Sequence, residues 1–147
     1  MMTKESTRAI VLDILLEVME KGKFTHIVLR QALDKYGYLE KNERAFISRL
    51  ANGTIEKCIE LDYIINGYSS VKVNKMKPVI RNILRMTVYQ LKYMDSVPAS
   101  AACNEAVKLA QKKGFGQLKG FINGVSRNIS RHIEEMVQYD DLSVKYS

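Results

Sequence analysis

The sequence holds few residues that interrupt a helix, cross-link a chain or bind a metal. Its 147 residues include two Pro, two Cys and two His residues and no Trp. Cys58 and Cys103 lie far apart without CxxC spacing, so we expect structural thiols rather than zinc ligands. No apolar run approaches the roughly 18 residues of a membrane-spanning helix, and residues 1–8 lack the apolar segment of a signal peptide. We therefore expect a cytoplasmic protein with no membrane segment and no metal.

Sequence motifs for catalysis are also missing. The chain contains no GxGxxG, GxxxxGK[ST] or HExxH pattern, and the glycines between Lys113 and Gly120 follow a helical stretch rather than a strand. This pattern predicts no catalytic residue and no cofactor-binding residue in the chain. The sequence is typical of a binding domain.

Acidic residues are scarce in one part of the chain. From Val71 to Arg131 there are twelve Lys and Arg residues but only two acidic ones, whereas residues 1–70 have ten of each. The excess positive charge of the chain, +7 overall, therefore arises in this basic segment. A folded domain with one cationic face commonly binds nucleic acid, although such a face can also serve only solubility.

Apolar residues recur at helical spacing through nearly the whole chain, and no segment alternates as a strand does. The pattern predicts an all-α fold of about seven helices. Ser69 to Lys75 is the longest polar break, so we place there the junction of two sub-bundles, about residues 6–68 and 76–136. Pro78 and Pro98 suit the first turns of two helices. We expect the alanine-rich helix after Pro98 at the centre of the second sub-bundle.

Cations and amides follow two of these helices at spacings of about one turn. On the helix after Pro78 an aromatic residue lies between cations, and on the last helix the polar side chains step by four residues, away from the apolar stripe. Cations at this spacing can follow a phosphate backbone, and an aromatic ring can stack on an unpaired base. The predicted RNA-binding residues are Arg81, Arg85, Tyr89, Lys92, Lys119, Asn123, Arg127 and Arg131.

Several short blocks from about residue 6 to residue 133 stand in an order that is more specific than any one of them. The blocks are Leu50, Gly53-Thr54, Leu61-Asp62, Ile83-Leu84-Arg85, Tyr89-Gln90-Leu91, Val97-Pro98-Ala99, Asn104-Glu105-Ala106-Val107-Lys108-Leu109-Ala110 and Gly120-Phe121-Ile122-Asn123-Gly124-Val125. With this order the chain resembles the NusB-like domain. The resemblance implies an all-helical fold of two small bundles packed together, formed here by residues 1–136.

Two groups of proteins share that domain, and each implies a different function. Gln117 to Arg127 and the tail Leu142 to Ser147 resemble the N-terminal domain and following linker of RsmB, the small-subunit rRNA cytosine-5 methyltransferase. On this interpretation the chain is a non-catalytic module that helps to bind and position small-subunit rRNA. Its last helix ends near Met136, and residues 137–147 begin a linker to an absent methyltransferase domain. That absent domain, rather than this chain, is expected to bind S-adenosylmethionine.

The alternative is a free-standing NusB-type transcription antitermination factor, which binds boxA RNA together with a ribosomal protein. Such proteins typically begin with an arginine-rich segment, whereas this chain offers only Lys4 and Arg8 there. A third hypothesis is a helical protein-interaction module whose basic face meets an acidic protein. The resemblance leaves homodimer formation open.

Overall fold

The protein is described here by a computed structural model, which gives the backbone of residues 4–146 and the side chains of residues 7–133. No strand occurs between residues 4 and 146, which confirms the predicted all-α fold. A π-helical turn, Leu16–Glu20, continues the first helix, and Val73–Lys75 and Gly116–Leu118 are short 3-10 turns. The seven α-helices are α1 (Lys4–Leu15), α2 (Thr25–Lys35), α3 (Lys41–Glu56), α4 (Cys58–Tyr68), α5 (Pro78–Tyr93), α6 (Ala99–Lys112) and α7 (Lys119–Tyr146).

Local sequence explains several helix ends. Gly22 follows the π turn with a φ of 71°, a left-handed conformation that glycine adopts without steric cost. Glu40 and Glu43 form a capping box at the start of α3, and Pro78 occupies the first turn of α5 as predicted.

The last helix is longer than its apolar stripe. Helix α7 runs to Tyr146, beyond the predicted end at Met136, because backbone hydrogen bonds can continue a helix after its apolar period stops. Side chains after Ile133 lie outside the described residues. The linker predicted at residues 137–147 therefore stays a prediction.

Helix α5 lies at the centre of the whole fold, whereas the sequence prediction for α6 concerned only the centre of the second sub-bundle. It packs against α1, α3, α4, α6 and α7, and every residue from Asn82 to Val88 is buried. Helix α6 buries mainly its small residues along one face. Helix α5 can be buried on all sides because its polar side chains find partners inside the protein; Thr87, for example, donates a hydrogen bond to the Ile83 carbonyl over 2.7 Å.

The two predicted sub-bundles share one hydrophobic core. Helices α5, α6 and α7 pack against one another, and α1 contacts both α3 and α6. Buried apolar residues from α1 to α7 accordingly form a single cluster, and the sub-bundle limits stay a prediction. Within the described part of the chain, no helix combines the length and apolar character needed to cross a membrane.

Candidate nucleic-acid interface

The eight predicted RNA-binding residues fall into two groups with different surroundings. Four lie on the central helix α5 and four on α7. The difference between the groups lies in the charge of their partners. Carboxylates pair with the α5 cations, whereas among the described side chains the hydrogen-bond partners of Arg127 and Arg131 on α7 are amides.

The two arginines of α5 belong to a polar network that joins α5 to α4 and to the π turn. Arg85 donates from Nε and Nη2 to the two carboxylate oxygens of Asp62, over 2.7 and 2.9 Å, and from Nη1 to Asn82 Oδ1 over 3.1 Å. Arg81 Nε donates to Glu20 Oε2 over 2.9 Å, and its Nη2 pairs with the other Glu20 oxygen. The Arg85 side chain is only 10% exposed, so its charge interacts mainly with carboxylates inside the protein rather than with a ligand.

The electrostatics of the pair formed by Glu20 and Arg81 favour the charged forms of both side chains. The hydrogen bond from Arg81 lowers the pKa of Glu20, against the raising effect of partial burial, and Glu20 in turn raises the pKa of Arg81. An open cleft of about 440 Å³ adjoins the network and is lined by Asp62, Asn66, Lys72, Val73, Asn74, Arg81 and Arg85. The two pKa shifts therefore stabilise the ion pair between Glu20 and Arg81.

Tyr89 and Lys92 also make contacts within the protein. The Tyr89 ring lies over Gly53 of α3, and its centroid is 5.1 Å from that of Tyr93. Lys92, whose side chain is 8% exposed, pairs with Glu60, and Tyr93 Oη donates to the same carboxylate over 2.6 Å. Burial, together with this hydrogen bond, raises the pKa of Tyr93 to about 12. These contacts tie α5 to α3 and α4.

The four residues on α7 form a stripe separate from the buried Ile122 and Ile129, and Asn123 and Arg127 are half-buried. Lys119 and Arg131 are exposed. Arg127 donates from Nη2 to Asn104 Oδ1 of α6 over 2.8 Å and from Nε to Asn123 Oδ1 over 3.1 Å. We use the name α7 face for Lys119, Asn123, Arg127 and Arg131 together with Asn104.

Within residues 7–133, no carboxylate compensates the charge of the α7 face. Among the described side chains, Lys119, Arg127 and Arg131 have no carboxylate partner, and the only contact of Arg131 is a long one of 3.5 Å to Asn128 Oδ1. The amides orient the Arg127 guanidinium without neutralising it. The α7 face can therefore offer oriented positive charge to an anionic ligand.

Sequence reasoning missed the contribution of α6 to this surface. Helices α6 and α7 are packed neighbours joined by a short connection, so they run antiparallel, and the bond between Arg127 and Asn104 sets their register. One turn along α6, the exposed Lys108 reaches Glu105 at 3.5 Å. Asn104 stood in a block that carried the family resemblance, which was the available signal for its role.

Other candidate chemistry is limited in the part of the chain that the structure describes. No group of three or more His, Cys, Asp or Glu side chains there could hold a metal ion. Cys103 is buried, and Cys58 is half-buried with its Sγ 3.8 Å from Asp62 Oδ2. Burial raises the pKa of both thiols, which disfavours the reactive thiolate.

Comparison with known proteins identifies relatives over almost the whole chain. A model of the NusB family matches residues 5–131. The probable ribosomal RNA small subunit methyltransferase B of Bacillus subtilis (strain 168) is 32% identical over 130 residues, which are 88% of this chain but 29% of that protein. The transcription antitermination protein NusB of Bacillus velezensis is 34% identical over 134 residues, which are 90% of this chain and 99% of that protein.

Solved structures agree with the predicted fold. The structure of T. maritima NusB matches with a TM-score of 0.79 at 23% identity, covering 88% of this chain and 92% of that one. The antitermination factors NusB and NusE in complex with dsRNA include a chain that matches with a TM-score of 0.79 at 20% identity, over 87% and 96% of the two chains. The NusB-like fold is thereby confirmed.

Proposed function

Because the chain belongs to the NusB family, we propose that it binds RNA and does so through the α7 face. The observation that carries this proposal is the contrast between amide and carboxylate partners. Arg127 is held by two amide oxygens, whereas Arg85 is held by a carboxylate. An arginine held by amides keeps its full charge for a phosphate group.

Phosphate contacts supply most of the sequence-independent affinity for nucleic acid, because each contact releases condensed counterions. Lys119 and Arg131 are exposed at the two ends of the α7 face, and Arg127 lies between them with its guanidinium oriented. The planar guanidinium can bind two phosphate oxygens at once. Asn104 and Asn123 add amide groups that can donate to sugar or base atoms once their oxygens are engaged.

The two groups of relatives imply different RNA targets for this chain. Alignment over 99% of a NusB protein supports a NusB-type antitermination factor that binds boxA RNA with a ribosomal protein. Structures of the same fold include a complex with NusE and dsRNA, which is consistent with that role. We give this candidate the first place, ahead of the methyltransferase module that the tail sequence favoured.

The methyltransferase module stays as the second candidate, because a methyltransferase relative is 32% identical to 88% of this chain. The N-terminal segment also supports this second candidate. Arg8, one of the two cations there, is 4% exposed, donates from Nε to Gln90 Oε1 over 2.8 Å and has its guanidinium 5.2 Å from the Phe46 ring centroid. Arg8 is therefore a core residue. It does not contribute to an arginine-rich RNA-binding segment at the N-terminus, which is typical of free-standing NusB proteins.

Two measurements separate the candidates. Affinity for a boxA RNA and for a small-subunit rRNA fragment of equal length, each with and without the ribosomal protein, distinguishes the RNA targets. Reading the gene beyond Ser147 shows whether a methyltransferase domain follows. A methyltransferase domain there, together with a preference for the rRNA fragment, would replace the first candidate by the second.

Fluorescence anisotropy across a salt series tests the α7 face itself. Each phosphate contact on single-stranded RNA contributes about −0.7 to the slope of log affinity against log salt, so replacing Lys119, Arg127 and Arg131 by Ala should reduce the slope by about 2. The control replaces Arg30, Lys35 and Lys41, exposed cations of α2 and α3, by Ala. Equal slopes for the α7 variant and the control would refute the assignment.

A further inference from the structure

The connection between α4 and α5 displays three lysines on a firmly anchored turn. Val73 and Met76 are buried, and the Val73 N–H donates to Asn66 Oδ1 over 2.8 Å. Because these anchors point inward, the polar residues beside them face solvent, as does Val71. The exposed polar residues between Val71 and Pro78 are Lys72, Asn74, Lys75 and Lys77.

The charge of this segment is not compensated within the described part of the chain. We use the name lysine turn for Lys72, Lys75 and Lys77; none of the three has a carboxylate partner there, and Lys72 Nζ makes only a 3.4 Å contact to the Asn66 carbonyl. Asp62 lines the adjoining cleft with Lys72, but its two oxygens already accept from Arg85. Three cations within six residues therefore remain available to an anionic ligand.

Two neighbouring rings, tilted by 31° to each other, link the lysine turn to the α7 face. The centroids of Tyr68, at the end of α4, and His132 of α7 lie 5.2 Å apart. Arg131, the last member of the α7 face, directly precedes His132, and Lys72 folds back onto the last turn of α4 through Asn66. The lysine turn therefore follows on from the Arg131 end of the α7 face.

We infer that the RNA strand bound by the α7 face continues past the Tyr68 and His132 rings, and that the lysine turn binds its phosphates. This inference rests on the proposed function and adds a second phosphate-binding segment to it. It concerns RNA rather than an acidic protein, because the lysine turn continues a surface whose other members are amides and arginines. A lysine ammonium group acts as a point charge, so it can bind backbone phosphates whatever the RNA sequence.

The length of the RNA provides the test. Lys119 to Arg131 spans about 18 Å at the helical rise of 1.5 Å per residue, which a stacked strand of about six nucleotides covers at roughly 3.4 Å each. A six-nucleotide RNA can occupy the α7 face alone, whereas an 18-nucleotide RNA containing it can also reach the lysine turn. Each is measured by anisotropy at 50 to 200 mM salt.

The test variant replaces Lys72, Lys75 and Lys77 by Ala, and the Arg30, Lys35 and Lys41 triple again serves as the matched control. Six contacts at about −0.7 each predict that wild-type affinity for the long RNA falls about 300-fold between 50 and 200 mM salt. With three contacts the fall is about 20-fold. The lysine variant should show this smaller fall with the long RNA and wild-type behaviour with the short one.

The outcomes separate this inference from the proposed function. Wild-type salt dependence of the lysine variant on the long RNA, with loss in the α7 variant, would overturn the inference and leave the proposed function intact. Absence of RNA binding by the wild type would overturn both. Equal losses of affinity on the short and the long RNA would also overturn the inference. So would a result in which polyglutamate of equal charge displaces the long RNA from the wild type but not from the lysine variant, because the lysine turn would then bind an acidic polypeptide. An unchanged melting temperature verifies that the lysine variant is folded.

Discussion

Adding one methyl group at Gly53 tests the packing that holds Tyr89 away from solvent. A Cβ at this position would lie 2.0 Å from Tyr89 Cζ and 2.2 Å from its Oη, where ordinary contacts begin near 3.4 Å. The Tyr89 ring must therefore move by about 1.4 Å, and the Tyr93 ring, whose centroid is 5.1 Å from that of Tyr89, is close enough to restrict this movement. The structure thus explains why a glycine stands inside a helix that would otherwise favour alanine.

Two effects of opposite sign set the magnitude for Gly53→Ala. Overpacking typically costs about 1 to 3 kcal/mol, and replacing a helical glycine by alanine recovers about 1 kcal/mol. We expect a net loss of about 1 kcal/mol in the free energy of unfolding, which is a fall of about 2 to 4 °C in Tm for a protein of this size. The larger Gly53→Leu change should cost more.

Thermal melts followed by circular dichroism in three backgrounds make the reasoning falsifiable. In a Tyr89→Ala background the clash is gone, so Gly53→Ala should raise Tm by about 2 to 4 °C through helix propensity alone. In a Tyr89→Phe background Cζ remains, so the change should still lower Tm. A rise in Tm in the wild-type background, or the same effect in all three, would refute the argument.

Two further predictions concern the ion pairs of α5. Arg85→Ala should reduce the free energy of unfolding by about 3 kcal/mol, because it leaves Asp62 partly buried without its cation. Arg127→Ala should change the free energy of unfolding by less than about 0.5 kcal/mol. Urea titration of both variants checks this prediction, and equal midpoints would contradict it. The hydrogen bond from Arg81 lowers the pKa of Glu20, so its contribution to stability is complete above the unfolded value near 4.3 and is lost as pH falls through the folded pKa. Melting temperatures from pH 7 to pH 2.5 should therefore fall less steeply for Glu20→Gln than for wild type, and parallel curves would exclude this contribution.

Local sequence determined the helical elements. Apolar residues at helical spacing, Gly22 and Pro78 act within one or two turns, so the all-α fold and most helix positions could be predicted without tertiary contacts. The basic segment could be located for the same reason, because a net charge is a sum over residues. The family blocks added the NusB-like architecture, which the structure matches confirmed.

Tertiary structure decided which of the predicted cations face a ligand. Arg81 and Arg127 look alike in a helical projection, yet Arg81 meets Glu20, 61 positions away, and Arg127 meets the amide of Asn104. Helical spacing shows which side chains share an edge but not which element packs against that edge. Gly53 and Tyr89 illustrate the same limit, because the glycine is explained only by a ring from another helix. The sign of a partner's charge depends on contacts between residues distant in sequence, and these form only when the helices pack.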